Sequence, residues 1–316
     1  MFTVFTTSIV TFSQQKVITT SGKNILLSSR IPLTHDGSNQ LNKTKATSIT
    51  KLEIPRLKPN EYVITHSAYS LSYNEPNEQA NWVAYELTNE ETNSTIKRSN
   101  KFIIDPLVKT GSADNSDYSG SVYDKGHLAP AGDMGWSATS MAESFYYSNM
   151  SPQVPSFNRG VWKRVEELVR AWANEYKSVY VVTGPVLKSG LQTIGHDKVS
   201  VPKYFYKVIL DYNVPGIKGI GFVIPNTGSQ ESLQRFAVSI DSVEKLTGID
   251  FFPLLPDKQE NTIESKLNVN AWIWKSFKST ANKEKSSTSV QCSGITKKGT
   301  RCKNRTTNAN GRCHLH

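Results

Sequence analysis

A base, several cations and a set of oxygen donors crowd into two stretches of this 316-residue chain. The first is Tyr123-Asp124-Lys125-Gly126-His127-Leu128-Ala129-Pro130. Histidine is the side chain whose ordinary pKa lies nearest neutrality, so His127 is able to take a proton at working pH. Gly126 beside it permits a bend or a close backbone approach. The second stretch opens with Asn149-Met150-Ser151-Pro152-Gln153 and continues through Asn158 to Glu166 and Arg170. Pro152 and Pro155 argue against helix before Ser156, and Ser156 or Asn158 suits the N-cap of a helix beginning there. Val161, Trp162, Val165, Leu168, Val169 and Trp172 recur at helical spacing as one apolar stripe. At about 100° per residue, Glu166 and Arg170 fall beside that stripe one turn apart, with Asn158 near its centre line. A carboxamide, a carboxylate and a guanidinium on the edge of a buried face could floor a reaction site. A helix cap and an intrahelical ion pair would give the same pattern.

The elements that must hold these residues are legible on either side. Residues 61–68 and 81–88 cluster Val, Ile, Tyr, Trp and Ala and are expected as the first core strands, with a turn over 74–81. Residues 109–121 are a Gly/Ser/Asp/Asn loop entering the Asp124 segment. A helix over 138–148 would pack Met141, Phe145 and Tyr146. Strands are expected at 179–183, 204–210 and 219–224, and Ser239 to Gly248 is a capped helix ending at glycine. This alternation predicts α+β: a mixed, mainly antiparallel central sheet flanked by helices. Residues 14–58 are Ser, Thr, Asn and Lys rich, a solvated tether with a short strand at 24–27.

Taken together, the motifs resemble those of a known family. Asp124-Lys125-Gly126-His127 is similar to the Asp-Arg-Gly-His signature of the DNA/RNA non-specific endonucleases, which include secreted bacterial nucleases and mitochondrial endonuclease G. Asn149-Met150-x-Pro152-Gln153 with Asn158, Trp162 and Glu166 resembles the second signature. Trp82–Glu86, Tyr180–Pro185, Val201–Val208 and Leu255-Pro256 look like the family's other segments, so the resemblance covers roughly residues 60–278 in the right order. Lys125 is the departure, because the family usually has Arg there. Both are cationic, but only Arg makes a planar two-pronged phosphate contact. That bears on turnover, and a catalytically weak or inactive nucleic-acid-binding protein is the alternative reading.

The resemblance implies a ββα-metal finger within residues 59–278 and a Mg²⁺-dependent (or Mn²⁺-dependent) endonuclease acting on DNA and RNA to leave 5′-phosphate ends. It implies His127 as general base and Asn158 as the protein ligand of the metal. Glu166 would accept hydrogen bonds from metal-bound water, and Arg170, Lys125 and Arg98 would hold phosphate oxygens. Asp124 would order the loop, and Asn149 would support the site. His35 and His66 lie away from any motif and are expected to be non-catalytic.

Charge and cysteine placement set the rest. The formal net charge of +10 suits an anionic partner such as nucleic acid, an anionic membrane or a ribosome. No run of some twenty apolar residues is present, so no membrane span is expected. Met1 to Ser13 carry no charge and are expected as a shortened export signal, giving a secreted or periplasmic protein, with a disordered or strand-forming start as the alternative. No inhibitor or immunity partner can be read from the chain. Residues 279–291 are a linker. Beyond it, Cys292, Cys302, Cys313 and His316 offer three thiolates and an imidazole, a closed tetrahedral shell for structural Zn²⁺ over residues 292–316. His314 competes for the fourth place, and an oxidised cysteine pair is the alternative. Residues 278–316 carry six Lys and three Arg against one Glu, +8 of the whole +10, so the tail is an expected electrostatic clamp.

Overall fold

The computed structural model describes residues 49–274, 290–296, 299–306, 308, 310–313 and 315. The expected export signal, most of the tether and the strand at 24–27 lie outside the described residues. In chain order come β1 (Ile64–Thr65), β2 (Ser70–Asn74), β3 (Gln79–Thr88), α1 (Asn115–Tyr118), β4 (Asp124–His127), α2 (Ala138–Glu143) and β5 (Met150–Gln153). Next are α3 (Lys163–Tyr176), β6 (Ser178–Pro185), β7 (Thr193–Ile194), β8 (Val199–Ser200), β9 (Tyr204–Asp211), β10 (Lys218–Pro225) and β11 (Ala237–Val238). Last are α4 (Ile240–Thr247), α5 (Asp257–Glu264) and the tail strands β12 (Val290–Gln291) and β13 (Arg305–Thr306).

Among the described residues the main sheet has seven strands in the order β1-β2-β3-β6-β9-β10-β11, all paired antiparallel. Successive residues of a strand face opposite sides. Phe205 and Ile209 of β9 therefore join Val181 and Phe222 in a core under α3, while Tyr206, Val208 and Leu210 join α4 and α5 on the other face. This double coverage is why β9 reads as a nearly unbroken apolar run. The apolar stripe of α3 does what its spacing predicts: Val165, Leu168, Val169 and Trp172 are buried. Trp172 also packs on Trp272, 4.3 Å between ring centroids, which fastens the far end of the domain to this helix. Each such side chain contributes about 1.5–3 kcal/mol by leaving water.

Two expectations need correction. Leu52 is fully buried in the α4/α5 core and Arg56 pairs with Asp250, so the packed body begins before residue 59 and takes in the end of the expected tether. The helix expected over 138–148 ends at Glu143. There the backbone turns so that Ile103 donates to the Phe145 carbonyl, and Tyr147 donates back to the Ile103 carbonyl. Tertiary pairing outweighs local helix preference at that point. No described helix is long and apolar enough to cross a membrane.

Candidate active site

β4 and β5 form a two-stranded antiparallel ribbon, with Asp124 opposite Gln153 and His127 opposite Met150. A Cβ on Gly126 would lie 2.2 Å from Cδ of the buried Gln153, so only glycine lets that side chain cross the strand. After β5 the chain makes a wide π-type turn over Phe157–Trp162, with Gly160 off helical geometry at φ −110° and ψ −108°. Such turns insert a residue and rotate the preceding segment relative to the helix. The result is strand, strand, turn and helix α3 in succession.

Hydrogen bonds fasten the turn to both ends of β4. Asn158 Nδ2 donates to Asp124 Oδ2 at 2.8 Å, and Trp162 Nε1 donates to the His127 carbonyl at 3.4 Å. Asp124 also receives both arms of Arg159, at 2.8 Å and 2.6 Å. Asn158 is thus held beside a strand only four residues long, whose ends are about 10 Å apart. Its side chain does not cap the helix, so the capping alternative fails.

His127 and Lys125 share one face of β4 by strand alternation. The imidazole is 7% exposed and meets the edge of Phe145 at 4.8 Å between ring centroids and Phe102 at 5.9 Å. Its Nε2 is buried and has no hydrogen-bond partner among the described residues. Burial in this aromatic slot, with a smaller push from Arg98, brings its pKa down from 6.5 to about 3. The ring is therefore neutral in the resting protein. Arg98, an exposed residue, lies over the same Phe145 ring at 4.9 Å. Lys125 Nζ donates to Asn115 Oδ1 at 2.8 Å and sits 4.5 Å from the Phe102 ring centre.

A second group of charges lies where α3 meets the sheet. Arg170 Nη1 bonds Asp133 Oδ1 at 2.5 Å, and Tyr85 donates to the other Asp133 oxygen at 2.8 Å. The intrahelical Glu166–Arg170 pair allowed by the spacing is not formed, because a buried acid from another segment takes the guanidinium. Burial pushes the Glu166 carboxyl up, opposed by the nearby charges of Arg170 and Lys207. Lys207 is fully buried in β9, its Nζ without a hydrogen-bond partner among the described residues and 4.7 Å from the Trp162 ring centre. Burial pushes its pKa down, opposed by Glu166 and Asp133.

The sequence motifs overlooked Lys207, Arg159 and Asp133. Lys207 was visible in one respect: it occupies an inward position between Phe205 and Ile209, where alternation calls for an apolar residue. Asn149 is brought to the ribbon but not to open space. It is fully buried and spends its amide on the backbone of Ala129 and Ser144. His66 is buried against Asp105 at 2.9 Å, on a different element from the ribbon.

In the tail, the sulfur atoms of Cys292, Cys302 and Cys313 lie within 4.8 Å of one another, all buried. Cys302 and Cys313 Sγ are 3.8 Å apart, far beyond a disulfide bond of about 2.0 Å. Sulfurs on a tetrahedral zinc with bonds of about 2.3 Å would stand about 3.8 Å apart. Backbone N–H groups of Gly294 and Cys313 donate to Cys292 Sγ at 3.3 Å and 3.2 Å. His314 and His316 lie outside the described residues.

Comparison with known proteins matches the body that carries this ribbon. The sequence model of the DNA/RNA non-specific endonuclease family matches residues 53–258. Zebrafish (Danio rerio) mitochondrial nuclease EXOG is 37% identical over 211 residues, 61% of this chain and 62% of its own length. A nuclease of Nostoc sp. is 34% identical over 67% of this chain and 81% of its own. Human mitochondrial endonuclease G is 36% identical over 60% of this chain and 69% of its own. The chain thus spans under two thirds of the zebrafish protein. In three dimensions it is similar to a chain of the EndoG/EndoGI complex, with a TM-score of 0.61 and 35% identity, covering 68% of this chain and 96% of that one.

Proposed function

The chain belongs to the DNA/RNA non-specific endonuclease family, and from that premise we propose that it hydrolyses phosphodiester bonds in DNA and RNA with Mg²⁺ or Mn²⁺, leaving 5′-phosphate ends. The observation that carries this reading is the buried, neutral imidazole of His127, its Nε2 without a partner among the described residues, on a strand bonded to the turn that bears Asn158.

His127 takes the proton of a water aligned opposite the leaving 3′-oxygen. An imidazole with a pKa near 3 is a weak base. An anionic phosphate arriving beside it favours the protonated form and moves that pKa back toward neutrality. The site therefore switches on its base where substrate sits. Arg170, braced by Asp133, holds non-bridging phosphate oxygens together with Lys125 and Arg98. Asp124 orients the Asn158 amide, and Asn149 braces the loop after His127.

The donors fit a hard cation. With Nδ2 engaged by Asp124, the carboxamide oxygen of Asn158 is the atom for a metal, and the Glu166 carboxylate suits the metal's water ligands. When bound, Mg²⁺ would stabilise charge on the phosphate and the leaving oxygen. A ββα-metal finger is our reading of the ribbon and helix. Cations that hold phosphate carry no sequence information, so cleavage is indifferent to sequence. In the tail, Cys292, Cys302, Cys313 and His316 hold structural Zn²⁺, which supplies folding energy to a segment with little apolar core. The surrounding basic residues clamp nucleic acid. Residues 1–13 direct export, and mass spectrometry of the native N-terminus reads whether they are removed.

The test is incubation of supercoiled plasmid and of RNA with the chain in Mg²⁺, with and without EDTA. Degradation of both, abolished by EDTA, is expected. Tight binding that leaves both substrates intact would overturn the proposal in favour of a binding protein.

A further inference from the structure

On the sheet face opposite α3, helices α4 and α5 are pressed against β10. A Cβ on Gly219 would meet Ile240 Cδ1 at 2.6 Å and Ile263 Cγ2 at 2.7 Å, and one on Gly221 would meet Val243 Cγ2 at 2.6 Å. Each of these apolar anchors has an acidic neighbour in sequence: Asp241 after Ile240, Glu244 after Val243 and Glu264 after Ile263. Seating the three anchors therefore gathers the three acids. One carboxylate oxygen from each lies within 4.8 Å of the others.

Glu264 is the member without another explanation. It is 5% exposed, and its Oε1 is buried with no hydrogen-bond partner among the described residues. It ends α5, where the helix dipole disfavours an anion. Burial, followed by the charges of Glu244, Glu260, Asp241 and Asp250, pushes its pKa up to about 9. A carboxylate in such a place is costly unless a proton or a cation accompanies it. Glu244 offers one oxygen to the Phe251 backbone N–H at 2.8 Å, which fixes its rotamer and leaves the second oxygen for a ligand. Exposed Asp241 leaves one side open to water.

The donors select the cation. Ca²⁺ takes about six to eight oxygen ligands and is readily held by several carboxylates, whereas Mg²⁺ keeps most of its water and is bound through one or two. Thiophilic ions prefer the sulfur cluster of the tail.

We propose that Asp241, Glu244 and Glu264 form a Ca²⁺ site, separate from the ribbon, that staples α5 to α4. It is independent of the nuclease reading. The rest of the coordination shell is water and second carboxylate oxygens.

The experiment titrates Ca²⁺ calorimetrically into the full chain in excess Mg²⁺, which saturates the ribbon site, and follows thermal unfolding in parallel. Expected is one Ca²⁺ per chain with a Tm rise of several degrees. Both should be lost in Glu264→Gln, and affinity should fall at least tenfold in Asp241→Asn, while Mg²⁺-dependent plasmid cleavage is unchanged in both variants. Glu264→Gln without Ca²⁺ should unfold no earlier than the native chain without Ca²⁺, since the amide removes the repulsion without changing shape. Absence of Ca²⁺ binding, or binding that survives both substitutions, overturns the proposal. So does a native Tm that rises with acidification but ignores Ca²⁺, because Glu264 would then be a neutral buried acid.

Discussion

Folding should carry a measurable proton penalty at His127. In the unfolded chain the imidazole titrates near 6.5, and in the folded chain burial brings it to about 3. Between these values the unfolded chain binds a proton that the folded chain refuses, so stability falls as pH drops through that window. One pKa unit is about 1.36 kcal/mol, which makes the loss about 2 kcal/mol at pH 5 and about 4 kcal/mol near pH 3. At 7% exposure, little solvent screening reduces these figures. The perturbation is His127→Gln, which keeps a polar planar group but cannot titrate. Urea unfolding of both proteins in EDTA, at about pH 7.5 and about pH 5, isolates the term, because every other titrating group cancels in the difference. The variant should gain about 2 kcal/mol on the native protein between the two pH values, with equal denaturant slopes. A difference that stays constant would refute the claim that this imidazole is buried and neutral.

Three further outcomes rest on the packing. Gly126→Ala forces a methyl into Gln153 and should lower stability by about 1–3 kcal/mol in urea unfolding; an unchanged midpoint would contradict that contact. Lys207→Met leaves the buried acids Glu166 and Asp133 with one cation fewer, so Tm should fall. Glu166, deprived of that cation, keeps its proton to higher pH, and the acid limb of the cleavage-rate profile should move up; an unchanged Tm with an unmoved limb counts against the coupling. Cys302→Ser should abolish the one zinc per chain read by native mass spectrometry while plasmid cleavage persists, and a native chain that takes no zinc would contradict the tail site.

Much of this was legible in the residues, for identifiable reasons. The stripe from Val161 to Trp172 repeats at helical spacing and is buried as expected, its first two residues in the π-type turn and the rest on α3. Ser239 and Gly248 mark α4 because a side-chain cap and a left-handed glycine are local devices. Partner choice was not legible where several candidates exist. Arg170 has Glu166 one turn away, yet binds Asp133, which lies 37 residues off and is buried. Asn158 has the composition of a cap, but the π-type turn aims it at Asp124 instead. Lys207 sits where alternation demanded an apolar group, and its reason is tertiary: the acids Glu166 and Asp133 come from other elements. Cys292, Cys302 and Cys313 did announce themselves, since thiols so few residues apart in a short tail have few ways to be buried separately.

The central claim is that His127 supplies the base and Asn158 the metal ligand at one scissile phosphate. The Mg²⁺ dependence of initial plasmid cleavage, compared among the native chain, His127→Ala and Asn158→Ala, tests it most directly. His127→Ala should lose about 10²–10⁴-fold in maximal rate with the Mg²⁺ midpoint unmoved. Asn158→Ala should lose rate together with a shift of that midpoint to higher Mg²⁺. Native rates in either variant, or a midpoint that moves only when His127 is removed, would contradict the account.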